Sequence, residues 1–228
     1  MRVPVLAYIL TALGAYLLGS IPFGYLAAKA KGIDIRTVGS GNIGATNAMR
    51  VLGKPIGLTV LVLDAVKGFL AVGLIAPAVY NWLAPHFTLD SVGNIGHLAR
   101  FEIRLCVLAG VFAVLGHNYT CWLKFKGGKG IATTAGVYLA LAPWAVLVAL
   151  VVFILAVLIT KYVSVGSIAS AVALPATVWI LPPHNLLLGC VTTALGVLAI
   201  YKHKSNIKRL MAGTENRLGQ KKPAEGAK

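Results

Sequence analysis

Trp144-Ala145-Val146-Leu147-Val148-Ala149-Leu150-Val151-Val152-Phe153-Ile154-Leu155-Ala156-Val157-Leu158-Ile159-Thr160 runs without one charged side chain. About 20 apolar residues, rising about 1.5 Å each, span the hydrocarbon of a bilayer. A helix apolar on every face belongs in lipid or in the centre of a large core. The stretch therefore predicts a membrane helix. The same criterion predicts further spans at 4–28, 56–80, 103–119, 130–143, 163–181 and 185–201. The expected fold is an all-α integral membrane protein with about seven transmembrane helices. The span 130–143 is too short to cross unaided, and Pro143-Trp144 leaves open two spans or one helix kinked at the proline over 130–160. A short span is tolerable when its N-terminus begins inside the bilayer and lines a polar cavity.

Composition agrees: of 228 residues, 58% are hydrophobic and 12% charged, far from soluble usage. The net charge of +15 sits mostly in short segments between apolar runs. That placement favours anionic headgroups and phosphorylated substrates and argues against nucleic acid as a partner. Alternating spans put Lys29, Lys31, Arg36, Arg50 and Lys54, then Lys124, Lys126 and Lys129, then Lys161, then the basic tail after 201, on one face. Short cytoplasmic loops carry the excess of lysine and arginine, so that face is expected to be cytoplasmic, with the C-terminus inside and the N-terminus external. Residues 81–102 form a long external loop in this reading. The first apolar run exceeds the core of a signal peptide and is kept as a span. Residues 1–220 read as one membrane domain and 221–228 as a disordered basic tail. Cys106, Cys121 and Cys190 lack the spacing of a metal cluster or redox pair and read as packing residues.

Four polar segments fall on the expected cytoplasmic face. The first, Gly39-Ser40-Gly41-Asn42-Ile43-Gly44-Ala45-Thr46-Asn47 followed by Arg50, satisfies G-x-G-x-x-G but lies between two membrane spans. A dinucleotide fold, which needs a preceding strand, is rejected. What remains is a set of small residues, amides, hydroxyls and an arginine suited to an oxyanion. The second, Lys126-Gly127-Gly128-Lys129-Gly130, feeds directly into a span, so free amides and a helix dipole meet any bound anion. A lipid-facing cationic loop would use the lysines, Lys124 above all, but has no need of so many glycines. His117 just before it reads as a structural histidine. The third contains Lys161, Tyr162 and Ser164. The fourth contains His203, Asn206, Glu215 and Arg217. Within the second span, Asp64 and Lys67 lie on one helical face and are expected to pair around a cavity. Gly19 to Gly24, with Pro22, predicts a kink in the first span. No constellation for a metal, a catalytic triad or paired acids stands out, and no cofactor is expected.

Taken together, these segments resemble the bacterial acyl-phosphate-dependent glycerol-3-phosphate acyltransferases over almost the whole chain. The resemblance rests on Gly39–Asn47, on Gly116-His117 through Lys126–Thr133, and on Gly213–Arg217, with support from Gly19–Tyr25, Asp64, Lys67-Gly68, Tyr162–Ser164 and His203–Ile207. The chain departs from the family near Thr120, where a proline is common, and in its long 81–102 loop.

The resemblance implies a seven-span enzyme of the bacterial inner membrane with its active site at the cytoplasmic face. Such an enzyme transfers a fatty acyl group from acyl phosphate to the 1-hydroxyl of sn-glycerol 3-phosphate, giving lysophosphatidate and inorganic phosphate. Neither acyl-CoA nor acyl carrier protein is the direct donor. The residues expected to form the phosphate pocket are Ser40, Gly41, Asn42, Thr46, Lys126, Gly127, Gly128 and Lys129. Arg50, His203 and Asn206 are expected to grip glycerol phosphate, and Asn47 and Ser164 to add hydrogen bonds. Asp64, Lys67, Glu215 and Arg217 support them. His203 and a donor phosphate oxygen stand as alternative bases. A transporter of phosphorylated metabolites is the alternative function, since it too needs a basic cavity among helices.

Overall fold

The computed structural model describes residues 2–86, 95–182 and 184–219. The tail expected at 221–228 and residues 87–94 of the expected 81–102 loop lie outside the described residues, and the described parts of that loop, 81–86 and 95–102, are helical extensions of the flanking spans. The described chain is all-helical. In order come α1 (Arg2–Ser20), α2 (Phe23–Lys29), α3 (Ala45–Leu52), α4 (Lys54–Leu70), a π-helical turn (Ala71–Ile75), α5 (Ala76–Leu83), α6 (Ile95–Asn118), α7 (Ile131–Leu141), α8 (Pro143–Thr160), α9 (Val163–Ile180), α10 (Leu186–Lys202) and α11 (Lys204–Met211).

Helices stand at all the places the apolar runs predict, but they differ in reach. Among the described residues, five segments are long and apolar enough to cross a membrane: Val5–Lys29, Lys54–His86, Arg100–Leu123, Pro143–Thr160 and Val163–Ile180. A sixth is available if α10 and α11, bent by 52°, count as one broken span. The helix expected at 130–143 is the 11-residue α7, only about 16 Å long and well short of the roughly 30 Å hydrocarbon thickness. Residues 130–160 form two helices. The break falls at Ala142, where φ is −154° and ψ is 72°, and Pro143 opens α8, a position that suits its missing N–H. The second span runs past its expected end at 80, continuing through the π turn to His86.

The principal packing partners are α1 with α6, α4 with α3 and α7, and α9 with both α8 and α10. Lipid tails are as apolar as leucine, so membrane helices associate by close packing and interior polar contacts. Two crossings depend on reciprocal glycines. A Cβ on Gly19 would meet the Ala113 carbonyl at 2.2 Å, and one on Gly116 would meet that of Tyr16 at 2.3 Å. Likewise a Cβ on Gly68 would meet the Thr133 carbonyl at 2.2 Å, and one on Gly136 that of Ala65 at 1.8 Å. By contrast α8 presents Leu147, Leu150, Ile154, Leu158 and Ile159 outward, a surface suited to lipid.

The first span breaks at Ile21-Pro22, between α1 and α2. The carbonyls freed there are used: Thr120 Oγ1 donates to Ser20 O at 2.6 Å and Lys67 Nζ to Ile21 O at 2.8 Å. Lys67 also pairs with Asp64 Oδ1 at 2.8 Å, both side chains almost fully buried, as the sequence spacing predicts. Cys106, Cys121 and Cys190 are free thiols.

Candidate functional site

A cavity of about 130 Å³ opens where α3, α4, α7, α9 and α11 meet. Ser40, Asn42, Thr46, Asn47, Arg50, Asp64, Lys129, Ser164, His203, Asn206 and Glu215 line it, so all four polar segments of the sequence converge on one place. The N-termini of α3, α7 and α9 border it at Ala45-Thr46, Ile131-Ala132 and Val163-Ser164. None of these three helices is capped by a side chain. Uncapped first-turn amides and converging dipoles favour an anion there.

Two cations complete the anion site. Arg50 has no hydrogen-bond or ion-pair partner among the described residues. Lys129 Nζ donates to Asn206 Oδ1. Asn206 Nδ2 in turn donates to Glu215 Oε1 at 2.8 Å, and Arg209 Nε to Glu215 Oε2 at 2.7 Å. Glu215 therefore orients Asn206 and Arg209; it and Asp64 are the carboxylates among the lining residues, and each is paired with a cation outside the lining, Arg209 and Lys67. Burial pushes the Lys129 ammonium down to about 8, helped by nearby Arg209, opposed by Glu215, and helped further by Arg50 and Lys202. A bound phosphate would reverse that pressure.

Ser164 Oγ is buried and has no hydrogen-bond partner among the described residues, which leaves it available to a ligand in the cavity it lines. His203 Nδ1 lies 2.7 Å from the Ala199 carbonyl. A carbonyl only accepts, so Nδ1 carries the proton and Nε2 keeps a lone pair in the neutral ring.

Several residues expected to contact or support the ligands make contacts within the protein. The amides of Gly127 and Gly128 are already donated to Asn118 O and His117 O, at 3.2 and 3.0 Å. A Cβ on Gly128 would lie 2.1 Å from His117 Nε2, so this glycine admits the histidine ring. The Gly41 amide donates to Val38 O at 3.0 Å. Asn47 is buried and braces the preceding loop, accepting from Ser40 N at 2.8 Å and donating to Val38 O at 3.1 Å. Lys126 is exposed, Lys67 is held in its buried pair, and the Arg217 guanidinium stacks 5.8 Å from the centre of the Tyr162 ring. None of Gly41, Lys67, Lys126, Gly127, Gly128 or Arg217 lines the cavity.

Other groups have no expected site role in the sequence reading. His117 is buried with Nδ1 3.5 Å from Asp64 Oδ1, and it lines the cavity. Ser167 lies one turn beyond Ser164, a spacing that would have found it. Phe153 and Ile131 carry no signal among so many apolar residues. These two side chains also line a second cavity of about 200 Å³, whose other walls include Val146, Ala149, Leu150, Leu174 and Leu195. A polar chamber and an apolar groove thus adjoin.

Comparison with known proteins identifies close relatives. The family model described as Glycerol-3-phosphate acyltransferase matches residues 9–213. A glycerol-3-phosphate acyltransferase of Geobacter metallireducens is 48% identical over 209 residues, covering 92% of this chain and 96% of the relative. One from Geotalea daltonii is 44% identical over 208 residues, covering 91% and 96%. Crystal structures of PlsY (YgiH), an integral membrane glycerol 3-phosphate acyltransferase, superpose with TM-scores of 0.77 for its glycerol 3-phosphate form and 0.74 for its lysophosphatidic acid form. These are 36% and 35% identical, each covers 93% of this chain, and 96% and 95% of the respective PlsY chains are matched.

Proposed function

Because the chain belongs to the glycerol-3-phosphate acyltransferase family, we propose that the adjoining chambers hold the two ends of an acyl phosphate, with glycerol 3-phosphate beside it. The chain is an integral membrane acyltransferase, which sets aside the alternative of a transporter. The observation that carries the donor assignment is the junction of an anion-binding cavity with an apolar groove at Ile131 and Phe153. An acyl phosphate is amphipathic in just this way. It is also a mixed anhydride, already activated, so the protein must chiefly position two anions and balance their charge.

In this reading Lys129, Arg50, Ser40, Asn42, Thr46 and the three helix N-termini hold phosphates, and Ser164 adds a hydroxyl. Asn206 holds Lys129 in place. O1 of glycerol 3-phosphate attacks the acyl carbonyl carbon, the bond to the phosphate oxygen breaks, and lysophosphatidate and phosphate leave. The departing phosphate gains charge as that bond breaks and titrates near neutrality, so it takes the hydroxyl proton. His203, its tautomer fixed by Ala199, orients the acceptor. His203→Gln should therefore raise the KM for glycerol 3-phosphate while lowering kcat by less than about tenfold. An obligatory histidine base would instead lower kcat by about 100-fold or more across the pH range.

The alkaline limb of activity tests Lys129. Its ammonium is charged below about 8, so kcat/KM for glycerol 3-phosphate should be level below that pH and fall as pH rises through it. Lys129→Arg, which stays charged, should abolish that limb even where it lowers the rate.

The topology proposed is seven membrane-embedded helices in one domain covering 1–220. In it α7 is the short member whose N-terminus lines the cavity, the N-terminus of the chain is external and the C-terminus cytoplasmic. The distribution of lysine and arginine supports this orientation and, with it, an active site at the cytoplasmic face; the membrane proposed is the bacterial inner membrane. The decisive experiment mixes purified protein with palmitoyl phosphate and glycerol 3-phosphate and follows released phosphate and lysophosphatidate. Turnover with palmitoyl-CoA but not palmitoyl phosphate would overturn the donor assignment.

A further inference from the structure

Among the described residues, the two cavities share Ile131 and Phe153 and no other lining residue. We propose that Phe153, with Ile131 opposite, forms a collar that surrounds the reacting carbonyl and keeps water from it, so that the acyl group reaches glycerol 3-phosphate instead of being hydrolysed. The proposal rests on the donor assignment above. In an acyl phosphate the carbonyl carbon lies one bond from the bridging phosphate oxygen and one bond from the first methylene. If the phosphate occupies the polar cavity and the chain the groove, that carbon lies at their boundary. The boundary residues are these two.

The same carbon is open to two nucleophiles. Attack by O1 of glycerol 3-phosphate forms the ester, the carbon–oxygen bond to phosphate breaks, its electron pair leaves with phosphate, and the hydroxyl proton ends on that phosphate. Attack by water follows the same course and yields a fatty acid and phosphate. Water outnumbers the acceptor in any open polar cavity, so fidelity requires its exclusion from this point. An aromatic ring and a branched aliphatic chain, neither offering a hydrogen bond, are suited to that task.

The ring is also fixed in place. Gly166, in the first turn of α9 between Ser164 and Ser167, packs directly on Phe153: a Cβ there would come within 3.0 Å of Phe153 Cδ2 and 2.9 Å of its carbonyl oxygen. Ile131 is the first residue of α7, two positions after Lys129. Ile131 opens α7 directly after the Lys129 loop, and Phe153 on α8 packs against α9, the helix that supplies Ser164, so the collar keeps register with the phosphate.

The test is a ratio, which does not depend on how much of a variant folds. Purified wild-type and Phe153→Ala proteins are given palmitoyl phosphate and glycerol 3-phosphate, and released phosphate is divided by lysophosphatidate formed. The wild type should give about one, and Phe153→Ala about two or more, with free palmitate making up the difference and phosphate release persisting without acceptor. Phe153→Leu should restore a ratio near one. A ratio that stays near one in Phe153→Ala overturns the collar. If that variant does not turn over, the ratio is read from Ile131→Ala and Phe153→Leu, and unity in Ile131→Ala overturns it equally. A wild type that makes no lysophosphatidate from palmitoyl phosphate refutes the donor assignment instead, a separate outcome.

Discussion

Lys129→Met should lower kcat/KM for glycerol 3-phosphate by about 100- to 1,000-fold, the usual loss when one preorganised donor to a developing oxyanion is removed. Lys129 sits where the N-terminus of α7, the α3 loop and Asn206 meet, and its ammonium is one of the two cations lining the cavity beside Arg50. Methionine keeps the length and apolar body of the side chain, so α7 should start in the same place. It also leaves Asn206 Oδ1 without its donor while the contact of Asn206 to Glu215 persists. Steady-state kinetics at a pH below 8 measure the effect. A loss under tenfold would mean that Arg50 and the helix amides carry the phosphate by themselves.

The second large effect is on stability. Asp64→Leu should lower the thermal midpoint of the solubilised protein by roughly 10 °C or more, because removing one member of a buried ion pair typically costs about 3–5 kcal/mol. The cost arises from what is left behind: Lys67, 2% exposed, keeps only the Ile21 carbonyl and the face of Phe23 as partners. The double variant Asp64→Leu with Lys67→Met removes both charges and should recover much of the loss. Light scattering or tryptophan fluorescence during heating reads both midpoints. No recovery in the double variant would mean that His117, 3.5 Å from Asp64, is the partner that matters.

Much of this was legible in the chain, for reasons that differ by element. The membrane helices announce themselves because lipid admits apolar side chains on every face, as α8 shows. The break after Ser20 is visible because proline lacks an N–H. Arg50, Lys129, Ser164, His203 and Asn206 stand out as polar groups clustered near span ends, and the structure gathers them around one cavity. The glycines of the 126–130 segment were ambiguous. Composition cannot tell a free amide from one already donated, and those of Gly127 and Gly128 are donated. The π turn at Ala71–Ile75 and the reach of the second span depend on tertiary packing, which local propensity does not encode. Phe153 is one apolar residue in a helix full of them, and only adjacency to two cavities separates it from its neighbours.

The gap at Pro22 has a bearing on how this protein tolerates change. In an unbroken helix the Ser20 and Ile21 carbonyls would be committed to amides four residues ahead. Here they are spent on Thr120 and Lys67 instead. Positions 22, 67 and 120 therefore form a single inheritance unit although they lie far apart in the chain. A redesign that straightened the first span would strand the Thr120 hydroxyl and leave the Lys67 ammonium with Asp64 alone, and one that made residues 67 and 120 apolar would orphan the Ser20 carbonyl and leave that of Ile21 with only the Phe23 amide. Variants at these sites should survive in company, and libraries that mutate them singly will undercount the sequences able to take up this fold.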